Sequence, residues 1–196
     1  MTKEQVISGI VGGLITSIAI PFFSYFVVRL LNKWLICIFL DTPRNEADYR
    51  VYNIRVRNNS LVTLKNVIAY VSIDNSSNDI IPADERGNIQ IFNGTMAVDN
   101  SYLSWSKNIA NSNSSQIEIN QGEVPDINLI RHHINKTHKG IEIASEQGFF
   151  GGNNLARTLL RPNKNYTISI KITGDNFWPK KRKFVFNPEA GQLIKK

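Results

Sequence analysis

From Val6 to Val28 the chain carries no charged residue. These 23 positions exceed the roughly 20 residues that a helix rising about 1.5 Å per residue needs to cross a bilayer core. Arg29 interrupts the run, Leu30 and Leu31 follow, and after Asn32, Lys33 and Trp34 the apolar stretch LICIFL continues to Leu40. Asp41, Thr42 and Pro43 then end any helix. The pattern predicts a transmembrane anchor helix over residues 1–40, with Arg29, Lys33 and Trp34 at the membrane interface as a snorkelling and aromatic belt. LICIFL is too short to cross back as a hairpin.

A cleaved export signal is the rival reading. Ser17 and Ala19 have the small-residue spacing of a cleavage site. The apolar run, however, continues through Pro21, Phe22 and Phe23, whereas a cleaved signal has an apolar region of about 7–15 residues followed by polar sequence. An uncleaved anchor in the cell (inner) membrane is therefore expected, with Pro21 a tolerated kink. Lys3 lies on one side of the span, and Arg29, Lys33, Arg44 and Arg50 on the other. The positive-inside rule then places the C-terminal domain in the cytoplasm.

Within the span, Gly9, Gly13 and Ser17 recur every four positions, and Ser8 with Gly12 forms a second row. Residues four apart share a helix face, and small side chains let two backbones approach closely. The row fits either a helix-packing face for a homo-oligomer or the ordinary glycine content of membrane helices. Cys37 is the single cysteine, so an internal disulfide is impossible; it reads as an inert apolar-site thiol or a lipidation site.

Beyond a polar linker (41–50, containing RNEADYR) helical patterning nearly vanishes. Tyr52, Ile54 and Val56 alternate with Arg55 and Arg57; Val67, Ala69, Val71 and Ile73 repeat the period of two. Further strand candidates are 88–92, 101–106, 116–120, 126–130, 140–145, 165–174 and 182–187, with a short helix at NNLARTLL (153–160). Many short strands punctuated by Asn, Ser and Gly predict an all-β sandwich or small barrel of about seven to nine strands over 51–190, followed by a basic tail at 191–196. The opening pair, ending in LKNVIAYVSI, resembles the first strands of bacterial and archaeal immunoglobulin-like sandwiches, and the closing pair, YTISIKITGDN with KFVFN, resembles their closing hairpin. That resemblance implies a binding or spacing module and brings no catalytic residue with it.

The search for chemistry finds little. No phosphate-binding glycine loop, H-E-x-x-H, C-x-x-C or G-x-S-x-G elbow is present. His132, His133, His138 and Glu142 are the closest approach to a metal set, but adjacent strand histidines face opposite ways, so a solvated basic loop is expected instead. Glu123 and Asp126 read as turn residues. Phe149 and Phe150, in a Gly-rich loop, either fold back on the core or form an exposed apolar tip. Six N-x-S/T sequons, at Asn58, Asn75, Asn93, Asn113, Asn135 and Asn165, have meaning only in a eukaryotic secretory lumen.

The formal charge of +7 is concentrated at the C-terminal end. Residues 161–196 hold nine basic and two acidic side chains. Trp178, Lys180, Lys181, Arg182 and Lys183 form the sharpest basic patch, suited to anionic headgroups or to protection of a strand edge; nucleic acid is the less expected partner. The sequence thus predicts a non-enzymatic, membrane-anchored binding or assembly module. Its expected partners are membrane lipids and a homo-oligomer or other membrane-complex component, with no cofactor, no metal and the small-molecule ligand open. A ligand-gated, membrane-disrupting sensor–effector of the antiphage type is the alternative.

Overall fold

A computed structural model describes residues 3–46, 49–74, 101–106, 115–134, 140–144, 158–162 and 164–196. It begins with one helical rod, Lys3–Leu35. The rod comprises α1 (Lys3–Leu14), a π-helical turn (Ile15–Ala19) and α2 (Ile20–Leu35). Pro21 sits in the first turn of α2. A proline inside a helix has no N–H to give and its ring crowds the carbonyl four residues earlier. Here the turn before it widens to i→i+5 bonding, and the chain stays helical. Thr16 Oγ1 donates back to the carbonyls of Gly12 (2.9 Å) and Gly13 (3.2 Å), which keeps its hydroxyl paired in an apolar segment.

The helix stops at Leu35, five residues before the expected boundary at 40. Ile36–Leu40 is strand β1, paired antiparallel with β3 (Tyr49–Asn58). The reason is legible afterwards: Ile36 and Ile38 are buried on one face while Cys37 is exposed on the other, a period of two rather than 3.6. The linker is also shorter than expected. Arg44–Glu46 forms β2 against β3, and Arg50 already belongs to β3.

The remaining strands are β4 (Leu64–Ile73), β5 (Ser101–Tyr102), β6 (Gln116–Ile119), β7 (Asp126–His133), β8 (Ile141–Ile143), β9 (Thr158–Leu160), β10 (Tyr166–Gly174), β11 (Phe177–Asn187) and β12 (Gln192–Lys195). Twelve strands among the described residues replace the seven to nine expected. The surplus comes from segments expected to be helix end, linker, short helix and tail. The tail residues pair with β11 as β12, and Thr158–Leu160 is extended rather than helical. The candidate at 88–92 lies outside the described residues.

All of these strands join two antiparallel sheets. One runs β1-β3-β7-β8-β9 with β2 on β3, and the other β12-β11-β10-β4-β5 with β6 on β4. The alternating residues named from the sequence supply the shared core: Tyr52, Ile54 and Val56 from one sheet, Val67, Ala69, Val71 and Ile73 from the other. Tyr52 and Phe186 meet edge to face between the sheets at 5.0 Å. Tyr52 Oη also donates to the carbonyl of Gly191 (2.7 Å), tying the β11–β12 turn to β3.

Two polar devices hold the ends. Asn58 is fully buried; its Nδ2 donates to the carbonyls of Val62 (2.8 Å) and Ile119 (2.9 Å), and its Oδ1 accepts from Ser60 N. A glycan on that nitrogen would break this turn, so the sequon at Asn58 is structural. At the other end, Arg55 bridges Asp41 (3.2 Å) and Asp126 (3.0 Å), and Arg44 reaches Asp126 (3.3 Å). This network stitches the loop after β1 to β3 and β7.

Candidate functional site

The place where the apolar rod meets the two-sheet domain is the most elaborately built polar site among the described residues. It starts from the turn between β10 and β11. Register shifts between Ile172 and Gly174, a bulge in which Trp178 and Pro179 of β11 oppose the single residue Thr173 of β10. Pro179, which has no N–H to offer a ladder, is tolerated at such a bulge. Gly174 is required there: a Cβ would lie 2.8 Å from the Lys65 carbonyl and collide with the Phe177 ring.

Asn176 locks this turn to the start of β4. Its Nδ2 donates to the Thr63 carbonyl (2.8 Å), and its Oδ1 accepts from Lys65 N (3.1 Å). Asp175 accepts from Asn66, which takes a φ of +50°, a value asparagine tolerates better than most residues. The turn is thereby fixed with two main-chain carbonyls pointing outward.

One face of α2 reads those carbonyls. Asn32 Nδ2 donates to Asn176 O (3.0 Å), and Arg29 donates to Phe177 O (3.1 Å). Arg29 also donates to Tyr25 Oη (2.9 Å), one helical turn earlier. Phe26 packs edge to face on Trp178 at 4.9 Å. Residues 22, 25, 26, 29, 32 and 33 follow the i, i+3, i+4 spacing that puts them on one side of a helix.

The basic segment is divided by its strand. In β11, Lys180 pairs with Ile172 and Arg182 with Ile170, so both lie on the face of buried isoleucines; Lys181 and Lys183 take the other face. Lys180 Nζ donates to the carbonyls of Lys33 (3.0 Å), Trp34 (3.5 Å) and Ile36. These belong to the last turn of α2 and the chain just beyond it, where helical carbonyls lack internal partners. Burial lowers the Lys180 pKa; Cys37 opposes that, while Arg182 and Lys33 add to it. Lys183 pairs with Asp74 at 3.7 Å across an exposed surface. Lys181 is exposed, and Trp178 is committed to Phe26. Of the interface set, Arg29 lies in the joint, Lys33 is half-buried beside it, and Trp34 is exposed.

The small-residue row is open. A Cβ at Gly9, Gly12 or Gly13 would meet nothing within 4 Å. Ser17 falls inside the π turn, where four-residue spacing no longer holds it beneath Gly13. No family model and no curated protein matches the chain. Among solved structures it is similar to wild-type OgpA from Akkermansia muciniphila, at 11% identity and a TM-score of 0.29. That alignment covers 82% of this chain and 29% of the other, so the chain spans under a third of that protein's length. A likeness of this strength shows no shared fold or activity.

The histidines part as strand geometry requires. His132 faces Phe186 in the core (5.7 Å), and His133 packs on Tyr49 (4.7 Å), 3.9 Å from Glu142. Arg131 and Glu142, both buried, pair across β7 and β8 at 3.5 Å, with the Arg131 guanidinium over the Tyr49 ring. No group of three metal-ligating side chains is present among the described residues. His138, Phe149 and Phe150 lie outside them, as do the sequons at 75, 93, 113 and 135. Sequence reading missed Asn32, Asn176 and Gly174. The only available signal was the turn composition TGDN ahead of the tryptophan.

Proposed function

We propose that this chain is a single-pass, membrane-anchored binding or assembly module with no enzymatic activity. Its two sheets form an immunoglobulin-like sandwich held at the membrane surface by the joint. The observation that carries the reading is the division of the helical rod. A window of 18 residues with mean hydropathy 2.1 stands wholly outside the core, while the last turns of the same helix are hydrogen-bonded into the domain. A soluble domain has no use for such a length of exposed apolar helix, since contiguous apolar surface of this size drives association or insertion.

Arg29 and Lys33 at the end of the span support a cytoplasmic domain. The open Gly9–Gly13 face supports self-association within the bilayer.

The deciding experiment is the intact mass of the chain recovered from membranes after alkaline carbonate extraction. Retention in the pellet with Met1 or Thr2 at the N-terminus is expected. Release as a product beginning after Ala19 would overturn the anchor. C-terminal reporter fusions give the topology, and a signal from outside the cytoplasm would reverse it.

A further inference from the structure

We propose that the niche between α2 and the β10–β11 turn binds one anionic phospholipid of the surrounding bilayer, with its phosphate on Arg29 and an acyl chain against Phe22, Phe26 and Trp178. The inference rests on the membrane-anchor reading above. The niche is a cavity of about 310 Å³ lined by Phe22, Tyr25, Phe26, Arg29, Trp178 and Pro179. That volume lies within the range of small-molecule sites, which are typically apolar with a few fixed polar groups. Here five walls are aromatic or proline and the sixth is a cation.

Arg29 lacks a counter-charge. Its hydrogen-bond partners, Tyr25 Oη and the Phe177 carbonyl, are neutral, and no carboxylate pairs with it among the described residues. A guanidinium has five N–H donors. Two of them are used in holding the joint, which fixes the group in place without neutralising it. Its Nε is buried and has no acceptor among the described residues. Lys33 and Arg182 lie close to Lys180 at the same joint, and among the described residues none of the three is in an ion pair with a carboxylate. A half-buried cation among like charges favours an anion, and planar guanidinium suits phosphate.

The apolar walls decide the source of that phosphate. A soluble anion would satisfy Arg29 yet leave the aromatic walls wet. Phe22 and Phe23, 73% and 67% exposed, continue the niche onto the bare face of the rod. In the membrane reading this face meets acyl chains, and Arg29, the first charge after Glu4, lies at headgroup depth. A lipid covers both surfaces at once.

The test uses the full chain in nanodiscs of phosphatidylcholine, titrated with acyl-brominated phosphatidylglycerol or acyl-brominated phosphatidylcholine. In a Trp34→Phe background the accessible reporter is Trp178, because Trp105 is fully buried. Half-quenching of Trp178 is expected at a mole fraction of brominated phosphatidylglycerol about fivefold below that of brominated phosphatidylcholine, the ratio for one basic contact near the surface. Arg29→Gln should erase that preference. Phe22→Ala, at an exposed position that does not threaten folding, should weaken quenching while leaving the preference intact. Equal quenching by the two lipids in the parent overturns the site, and loss of the preference on adding millimolar inorganic phosphate shows a phosphate site instead. Trp34 in a Trp178→Phe background reports insertion itself. If Trp34 is unquenched by either lipid, the anchor reading has failed; if it is quenched while Trp178 shows no preference, only the lipid site has failed.

Discussion

The two ends of the helical rod are almost equally apolar and behave in opposite ways. In the first half, Ile7, Ile10, Val11 and Leu14 are all about half exposed or more, and added Cβ atoms at its glycines meet nothing. In the last turns, Arg29 and Asn32 donate to a fixed turn of the domain and Lys180 caps the departing carbonyls. Apolarity therefore does not distinguish a bare helix segment from a docking one. What does is the reach of the polar pairing: in the free half Thr16 bonds its own backbone, while the docked half exchanges hydrogen bonds with residues more than 140 positions away.

This contrast can be broken from the domain side first. Gly174→Val drives a side chain into the Lys65 carbonyl and the Phe177 ring, and overpacking of that kind costs about 1–3 kcal/mol. Denaturant unfolding of the detergent-solubilised chain should show that loss, and the amides of residues 29–35 should exchange faster with it. Faster exchange without a stability change would mean that the turn serves only the helix.

Asn32→Leu is the sharper cut. It leaves the Asn176 carbonyl without its donor in a buried place, at a cost of about 1–2 kcal/mol, while keeping the apolar character of the helix. Exchange should rise in residues 29–35 and stay unchanged at residues 7–14. A rise in both would show that the two halves form a single cooperative unit.

Lys180→Met should cost about 1 kcal/mol by uncapping the helix end. It carries a pH signature as well. The folded-state pKa of Lys180 is lowered, so between that value and the ordinary lysine value of about 10.4 the unfolded chain binds more protons. The stability contribution of this group therefore rises with pH across that window, and Lys180→Met should flatten the rise. No titratable side chain lies between Glu4 and Tyr25. An unaltered slope in the variant would assign the effect to another group.

The smallest effect on the domain, and the clearest on the bare half of the rod, belongs to Gly9→Leu combined with Gly13→Leu. Unfolding of the two-sheet domain should be unchanged, since both positions are open. Self-association in bilayers should fall. Unchanged oligomer size would make the rod a passive tether.

Much of the domain was readable because strand burial has a local period. Tyr52, Ile54 and Val56, and Val67 through Ile73, stand in the core where alternation put them. Ile36–Leu40 was not readable in the same way. A five-residue apolar run abutting an apolar helix fits either period, and only the partners Asn58, Val56 and Ile54 on β3 decide for the strand. The basic segment was visible as charge, but strand pairing with β10 sends Lys180 to the helix end and leaves Lys181 exposed.

The sequence by itself determined that a charge-free span long enough to cross a bilayer is followed by alternating strands, because hydrophobic length and periodicity are properties of neighbouring residues. Only the tertiary structure decided where the span stops being bare helix and becomes part of the domain. That boundary depends on Arg29, Asn32 and Lys180 finding carbonyls across the fold, and a hydrogen bond between residues so far apart leaves no periodic trace in the chain that makes it.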